Sequence, residues 1–203
     1  MSVPRKAWLD VLAATLGADA LVVASLGANA RYMPHLPIKA AHFALCDAMG
    51  AAIPLALGMA LAKPERPVIA LEGDGSLMMA LGTLATVGAA APRNLTILLF
   101  ENHHYESSGG QDLPKVEGER GSGVAGPPSS MIDFVAVARA SRVPIAERVD
   151  AASALAKALE RARTAGPAFY LLPTAYDPDE AIPPYSERPD EIRLNFARRL
   201  AAR

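Results

Sequence analysis

The sequence predicts an α/β domain built on a doubly wound, mostly parallel six-stranded sheet with helices on both faces. Three observations carry that reading. Short apolar runs recur at Leu21–Ser25, Pro67–Leu71, Leu95–Phe100, Pro144–Val149 and Phe169–Pro173, with a further short extended segment between Pro34 and Asp47. Stretches with apolar residues at helical spacing separate them, an alternation that marks parallel βαβ units. The run that starts at Pro67 ends in Gly73-Asp74-Gly75-Ser76, a turn suited to leading a strand into a helix.

Taken in order, residues 4–17 form an amphipathic helix with Trp8, Leu9, Leu12 and Leu16 on one side, stopped by Gly17. The strand Leu21–Ser25 opens into a loop, Leu26-Gly27-Ala28-Asn29-Ala30-Arg31. Two prolines make 34–47 irregular before a short extended segment. Ala48–Ala62 reads as a helix with Pro54 near its first turn, packed through small residues. After the Gly73–Ser76 turn a helix starts at Ser76 and carries Leu77, Met78, Leu81, Leu84, Ala85 and Gly88. The strand Leu95–Phe100 delivers Glu101 and Asn102. Residues 106–130 are rich in Gly, Pro and Ser, include Lys115 and Arg120, and suit an active-site cover as well as a plain loop. Helices follow at Ser130–Ala140 and Ala151–Ala165. The last strand leads into a proline-rich connector, Asp177–Pro189, and a terminal helix with Ile192, Phe196 and Leu200 inward.

With 203 residues the chain suits one domain spanning 1–203. Net charge is −1 with no basic block, which argues against nucleic acid. A lone cysteine, Cys46, excludes a disulfide framework and suggests a cytoplasmic home; an inert thiol is its expected state. The N-terminus has no signal-peptide segment, and Ala48–Ala62 is too short to cross a membrane.

In a right-handed βαβ unit the ends of both strands face one crevice, so Asp74 and Asn102 are expected side by side. Glycines admit a close ligand, and a helix N-terminus offers N–H groups to phosphate. An Asp and an amide oxygen supply hard ligands for a divalent cation of the magnesium type. The residues thus point to magnesium with a phosphorylated small molecule. His103 and His104 beside Glu101 raise the alternative of zinc, but adjacent histidines rarely chelate one ion and no matching Cys or His pair follows.

Gly73-Asp74-Gly75-Ser76, the spaced Asn102 and the sequence Glu106-Ser107-Ser108-Gly109-Gly110-Gln111 resemble the diphosphate-binding domain of thiamine-diphosphate enzymes. Within that family the likeness is to phosphonopyruvate decarboxylase and the sulfopyruvate decarboxylase β subunit. It extends to Gly27, Asn29 and Arg31, to Met49-Gly50, to 82–86 and to 188–192. The resemblance implies thiamine diphosphate and Mg2+ as cofactors. Asp74, Asn102 and the His104 carbonyl would hold the metal; Gly73, Gly75 and Ser76 would hold the diphosphate, helped by Gly27 and Asn29. The alternative for Asn29 is a local turn contact, and for Arg31 a solvated charge. Met49 fits the apolar prop that bends the cofactor, or ordinary core packing. Asp47 and Ala48 stand where the family usually has Gly and Ser; the Asp47 carbonyl is still able to serve, with its side chain pointing elsewhere or altering substrate choice, and Glu101 departs mildly from the common Asp or Asn.

The resemblance also implies a 2-oxo acid decarboxylase, with carboligase and non-catalytic cofactor-binding readings as alternatives. His103 or His104 could face substrate. No catalytic residue is expected in this chain, because the activating glutamate belongs to a pyrimidine-binding domain. That domain is expected on a separate α subunit, in an α2β2 assembly.

Overall fold

A computed structural model describes residues 2–114 and 132–201. Six parallel strands form the main sheet: β1 (Leu21–Ala24), β2 (Ala41–Ala44), β3 (Val68–Gly73), β4 (Leu95–Glu101), β7 (Ile145–Arg148) and β8 (Ala168–Pro173), in the order β2-β1-β3-β4-β8-β7. Every neighbouring pair is parallel, so the expected mostly parallel sheet is wholly so. A second, two-stranded antiparallel ribbon, β5 (His104–Tyr105) with β6 (Gln111–Asp112), was not foreseen.

Strand side chains alternate between two apolar cores, the period of 2 that a pleated strand imposes. Val22, Ile69, Leu71, Leu98 and Tyr170 meet helices α1 (Arg5–Thr15) and α7 (Ala152–Ala165) on one face. Val23, Val68, Ala70, Ile97 and Phe169 meet α3 (Ala52–Ala62), α5 (Thr83–Ala90) and α6 (Phe134–Ala140) on the other. Both faces are covered, as a parallel sheet requires. Trp8 is fully buried and its indole N–H donates to the Pro173 carbonyl, tying the first helix to the end of β8. The terminal helix α8 (Pro189–Ala201) packs on the edge strand β2, with Ile192 and Phe196 inward.

Several expectations need correction: the helix read from Ala48 begins at Ala52, and the one read from Ser130 begins at Phe134. The helix after the glycine turn begins at Asp74, not Ser76, and breaks into α4 (Asp74–Met78) and α5. Met79, Ala80 and Thr83 form tight three-residue-back bonds across the break, and Gly82 starts the second piece. The segment 28–32, read as loop, is one turn of helix, α2 (Ala28–Tyr32), too short to show periodicity in sequence. Most of the expected cover at 106–130, including Lys115 and Arg120, lies outside the described residues. Among those described, no helix is long and apolar enough to cross a membrane.

Candidate active site

β3 and β4 are adjacent, and their register sets Gly73 opposite Phe100. Asp74 and Asn102 therefore leave the sheet at nearly one level, at its carboxyl edge. Oδ2 of Asp74 accepts the backbone N–H of Asn102 at 2.9 Å and of His103 at 2.6 Å, while Oδ1 accepts that of Gly75 at 2.8 Å. One carboxylate thus fastens the glycine turn to the loop after β4. His103 meets it with φ 63°, a left-handed conformation that costs a residue with a Cβ about 1–2 kcal/mol.

Asp74 is 2% exposed. Burial pushes its pKa up to about 6, against the pull of the N–H groups of His103 and Gly75. A carboxylate has about four acceptor sites, of which three are taken here, so one remains for a cation. Asn102 Oδ1 accepts from the His104 N–H at 2.9 Å, and an amide oxygen keeps a second lone pair.

Asp74, Asn102, His104, Gly73, Gly75 and Ser76 border one cleft of about 200 Å³. Asn29, Asp47 and Met49 border it from the other side. Met49 is 42% exposed, which removes the core-packing alternative and leaves an apolar side chain facing the cleft. Gly75 is needed as glycine, because a Cβ there would come within 2.8 Å of the Tyr105 ring. The Ser76 hydroxyl is already engaged, accepting the Gly50 N–H at 2.8 Å.

Four of the expected residues have partners that the sequence did not announce. Gly27 borders the cleft through its neighbours Leu26 and Ala28; its own N–H donates to the Tyr185 hydroxyl at 3.1 Å. Its φ of 80° and the Ser107 hydroxyl, packed where a Cβ would stand, account for the glycine. His103 turns toward Glu101, with Nε2 3.8 Å from the carboxylate, which also meets Arg148 at 3.3 Å. His104 is pinned by the Asn102 carbonyl at Nδ1, by Asp112 at Nε2 and by a stacked Tyr176 ring 3.9 Å away. Arg31 donates to the Pro183 and Ile182 carbonyls, so it holds the C-terminal connector.

Three contributors were not foreseen. Glu72 is wholly buried just before the turn, and burial pushes its pKa up to about 6 despite the nearby Ser76 hydroxyl and Gly73 N–H. Tyr185 bridges Gly27 to the Cys46 carbonyl, a contact no local pattern announces. Arg5 is 4% exposed and reaches the cleft from α1. Its signal was readable, since Arg5 falls on the same helical stripe as Trp8, Leu9 and Leu12.

Residues 24–171 match the thiamine pyrophosphate enzyme, C-terminal TPP binding domain. Phosphonopyruvate decarboxylase of Streptomyces viridochromogenes is 45% identical over 119 residues, 55% of this chain and 30% of that protein. Sulfopyruvate decarboxylase subunit beta of Methanothermobacter thermautotrophicus is 41% identical over 93 residues, 46% of this chain and 50% of that one. A putative acetolactate synthase large subunit of Mycobacterium tuberculosis is 34% identical over 179 residues, 80% of this chain and 33% of its own. The chain thus spans half or less of these relatives. Benzoylformate decarboxylase from Polynucleobacter necessarius shares the fold, with a TM-score of 0.63 at 22% identity over 86% of this chain and 34% of that one. The chain belongs to the thiamine pyrophosphate enzymes, whose C-terminal TPP binding domain it carries.

Proposed function

We propose that this chain is the diphosphate- and metal-binding half of a thiamine-diphosphate-dependent 2-oxo acid decarboxylase, similar to the sulfopyruvate decarboxylase β subunit. The observation that carries the proposal is the buried Asp74 carboxylate. It joins the turn after β3 to the loop after β4 and keeps an open acceptor site toward the cleft.

The donor set fits the cofactor. Buried carboxylate, amide and carbonyl oxygens suit Mg2+, which prefers hard ligands and shares its shell with phosphate. Asp74, Asn102 and the His104 carbonyl would hold the metal; the backbone at Gly73, Gly75 and Ser76, together with Asn29, would hold the diphosphate. The Ser76 hydroxyl also anchors Gly50, beside the Met49 prop, by accepting its N–H. Bound there, thiamine diphosphate supplies the electron sink that lets a 2-oxo acid lose carbon dioxide. The chain's own residues fix the anion end, present Met49 to the organic end and shield the charges from water. A magnesium ion would also hold Asp74 ionised against the burial that favours its protonated form.

We assign the activating glutamate to a pyrimidine-binding α subunit. The relatives named subunit beta support this, as does Met49, an apolar side chain that borders the cleft and is 42% exposed. The substrate would be a small 2-oxo acid with a second acidic group, by analogy with the relatives' names. A carboligase is the second reading, favoured by the long alignment to the putative acetolactate synthase subunit. Carbon dioxide release from a panel of 2-oxo acids, with and without a co-expressed pyrimidine-domain protein, tests both. Release only with the partner is expected. Full turnover by the purified chain alone, or condensation products in place of the aldehyde, would overturn the corresponding part.

A further inference from the structure

We infer that Arg5, on the first turn of α1, is a positioning residue that orients the Asn29 amide as a donor to the anion in the cleft. The inference rests on the diphosphate reading above. Arg5 is 4% exposed, and its guanidinium lies among three separate segments of the carboxyl edge. Nη1 is 3.3 Å from Asn29 Oδ1, Nη2 is 2.5 Å from Glu106 Oε2, and Nε is 3.8 Å from Glu180 Oε2. Asn29 follows β1, Glu106 lies in the ribbon after β4, and Glu180 belongs to the C-terminal connector.

Guanidinium has donors and no acceptor, so the Asn29 atom facing it must be the oxygen. That fixes the amide, which could otherwise flip, and turns its amino group away from Arg5. Asn29 is 3% exposed and lines the cleft, so a fixed Nδ2 gives the cleft two N–H donors in place of an acceptor. An acceptor there would repel a diphosphate; a pair of donors binds it. The Glu106 contact adds a second effect, holding the loop that carries His104 and Tyr105 against the same cleft. Lysine cannot reproduce this arrangement, because a single ammonium lacks the planar fork that reaches Asn29 and Glu106 together. The cluster is not arranged for stability alone: Arg5 Nε and Glu106 Oε1 are buried without hydrogen-bond partners among the described residues.

Calorimetric titration of magnesium pyrophosphate into the full chain reads the anion site without turnover. Arg5→Met is expected to weaken binding tenfold or more, and Asn29→Ala by a similar factor. The double variant is expected to lose little beyond Arg5→Met, because removing Arg5 already removes what Asn29 contributes, the Glu106 contact being lost in both. Asn29→Asp, which keeps the contact to Arg5 but puts oxygen in place of the amino group, is expected to bind more weakly than Asn29→Ala. Additive losses, or Arg5→Met within twofold of wild type, would overturn the inference. Should Arg5→Met not fold, Arg5→Lys enters the same cycle with the same criteria. Binding lost in Asp74→Ala but unchanged in Arg5→Met removes this inference alone; no binding by the wild type removes the diphosphate reading with it.

Discussion

The two edges of the sheet each hold a cavity of nearly the same size, about 200 Å³ at the carboxyl edge and about 210 Å³ at the amino edge. The first is bordered by Arg5, Asn29, Asp74 and Asn102, all buried. The second is bordered by Asp19, Glu65, Glu160 and Arg163, whose charges lie in solvent, with Arg163 and Asp19 paired at 3.3 Å. Among the described residues, the buried polar and charged side chains gather at the carboxyl edge, Thr96 apart. A larger cavity of about 920 Å³ also borders Asp19, Glu65 and Arg66, so volume does not mark the carboxyl edge; desolvated polar groups do. Such groups cost free energy unless partnered, so their concentration at one edge marks where stability is given up for binding.

The contrast can be broken most severely at Asp74. Asp74→Ala is expected to weaken thiamine diphosphate binding in the presence of Mg2+ at least a hundredfold by calorimetry. Asp19→Ala at the other edge is expected to leave it within twofold, and equal losses would erase the distinction. Asn102→Ala removes one ligand and keeps the carboxylate, so a loss of about tenfold, roughly 1.4 kcal/mol, is expected in the same assay.

A third prediction concerns pH. Burial raises Asp74 from its usual range to about 6, so the proton competes with the cation below that value. Binding of magnesium pyrophosphate is expected to be level above pH 7 and to weaken as pH falls through 6. A flat profile from pH 7 to 5 would contradict it. Glu72 sharpens the comparison, since its pKa is also about 6 but it does not border the cleft. A carboxyl whose folded pKa is raised favours folding when protonated, so its stabilising protonation is present below pH 4.5 and lost as pH rises through 6. Glu72→Gln is expected to flatten the fall in unfolding free energy between pH 4.5 and 7 by up to about 2 kcal/mol, with little change in ligand affinity.

The smallest effect on binding is expected at the amino edge. Asn94 Nδ2 donates to the Ala60, Lys63 and Arg66 carbonyls at 3.2, 3.0 and 2.8 Å, closing the end of α3 onto β3. Asn94→Ala is expected to cost about 1–3 kcal/mol in urea denaturation while magnesium pyrophosphate affinity stays within twofold.

Much of this division was legible in the chain itself. The strands after Pro67 and Leu95 announced themselves as apolar runs, and the handedness of βαβ units brought Asp74 and Asn102 together on paper. The ribbon His104–Asp112 was not legible, because strands of two residues have no period to read. The break between α4 and α5 hid in a continuous apolar stretch where Gly82 carried the only hint. Arg5 could have been found, as a charge on the stripe of Trp8 and Leu12. Tyr185 could not, since its bridge from Gly27 to Cys46 joins segments far apart in sequence through one hydroxyl.

Manganese offers the sharpest probe of the metal site, since it accepts the same hard ligands and its electron paramagnetic signal reports the bound ion. Titration of Mn2+ in the presence of thiamine diphosphate is expected to show one tightly held ion per chain, absent in Asp74→Ala and weakened in Asn102→Ala. An ion bound with the same affinity and stoichiometry in Asp74→Ala would contradict the assignment.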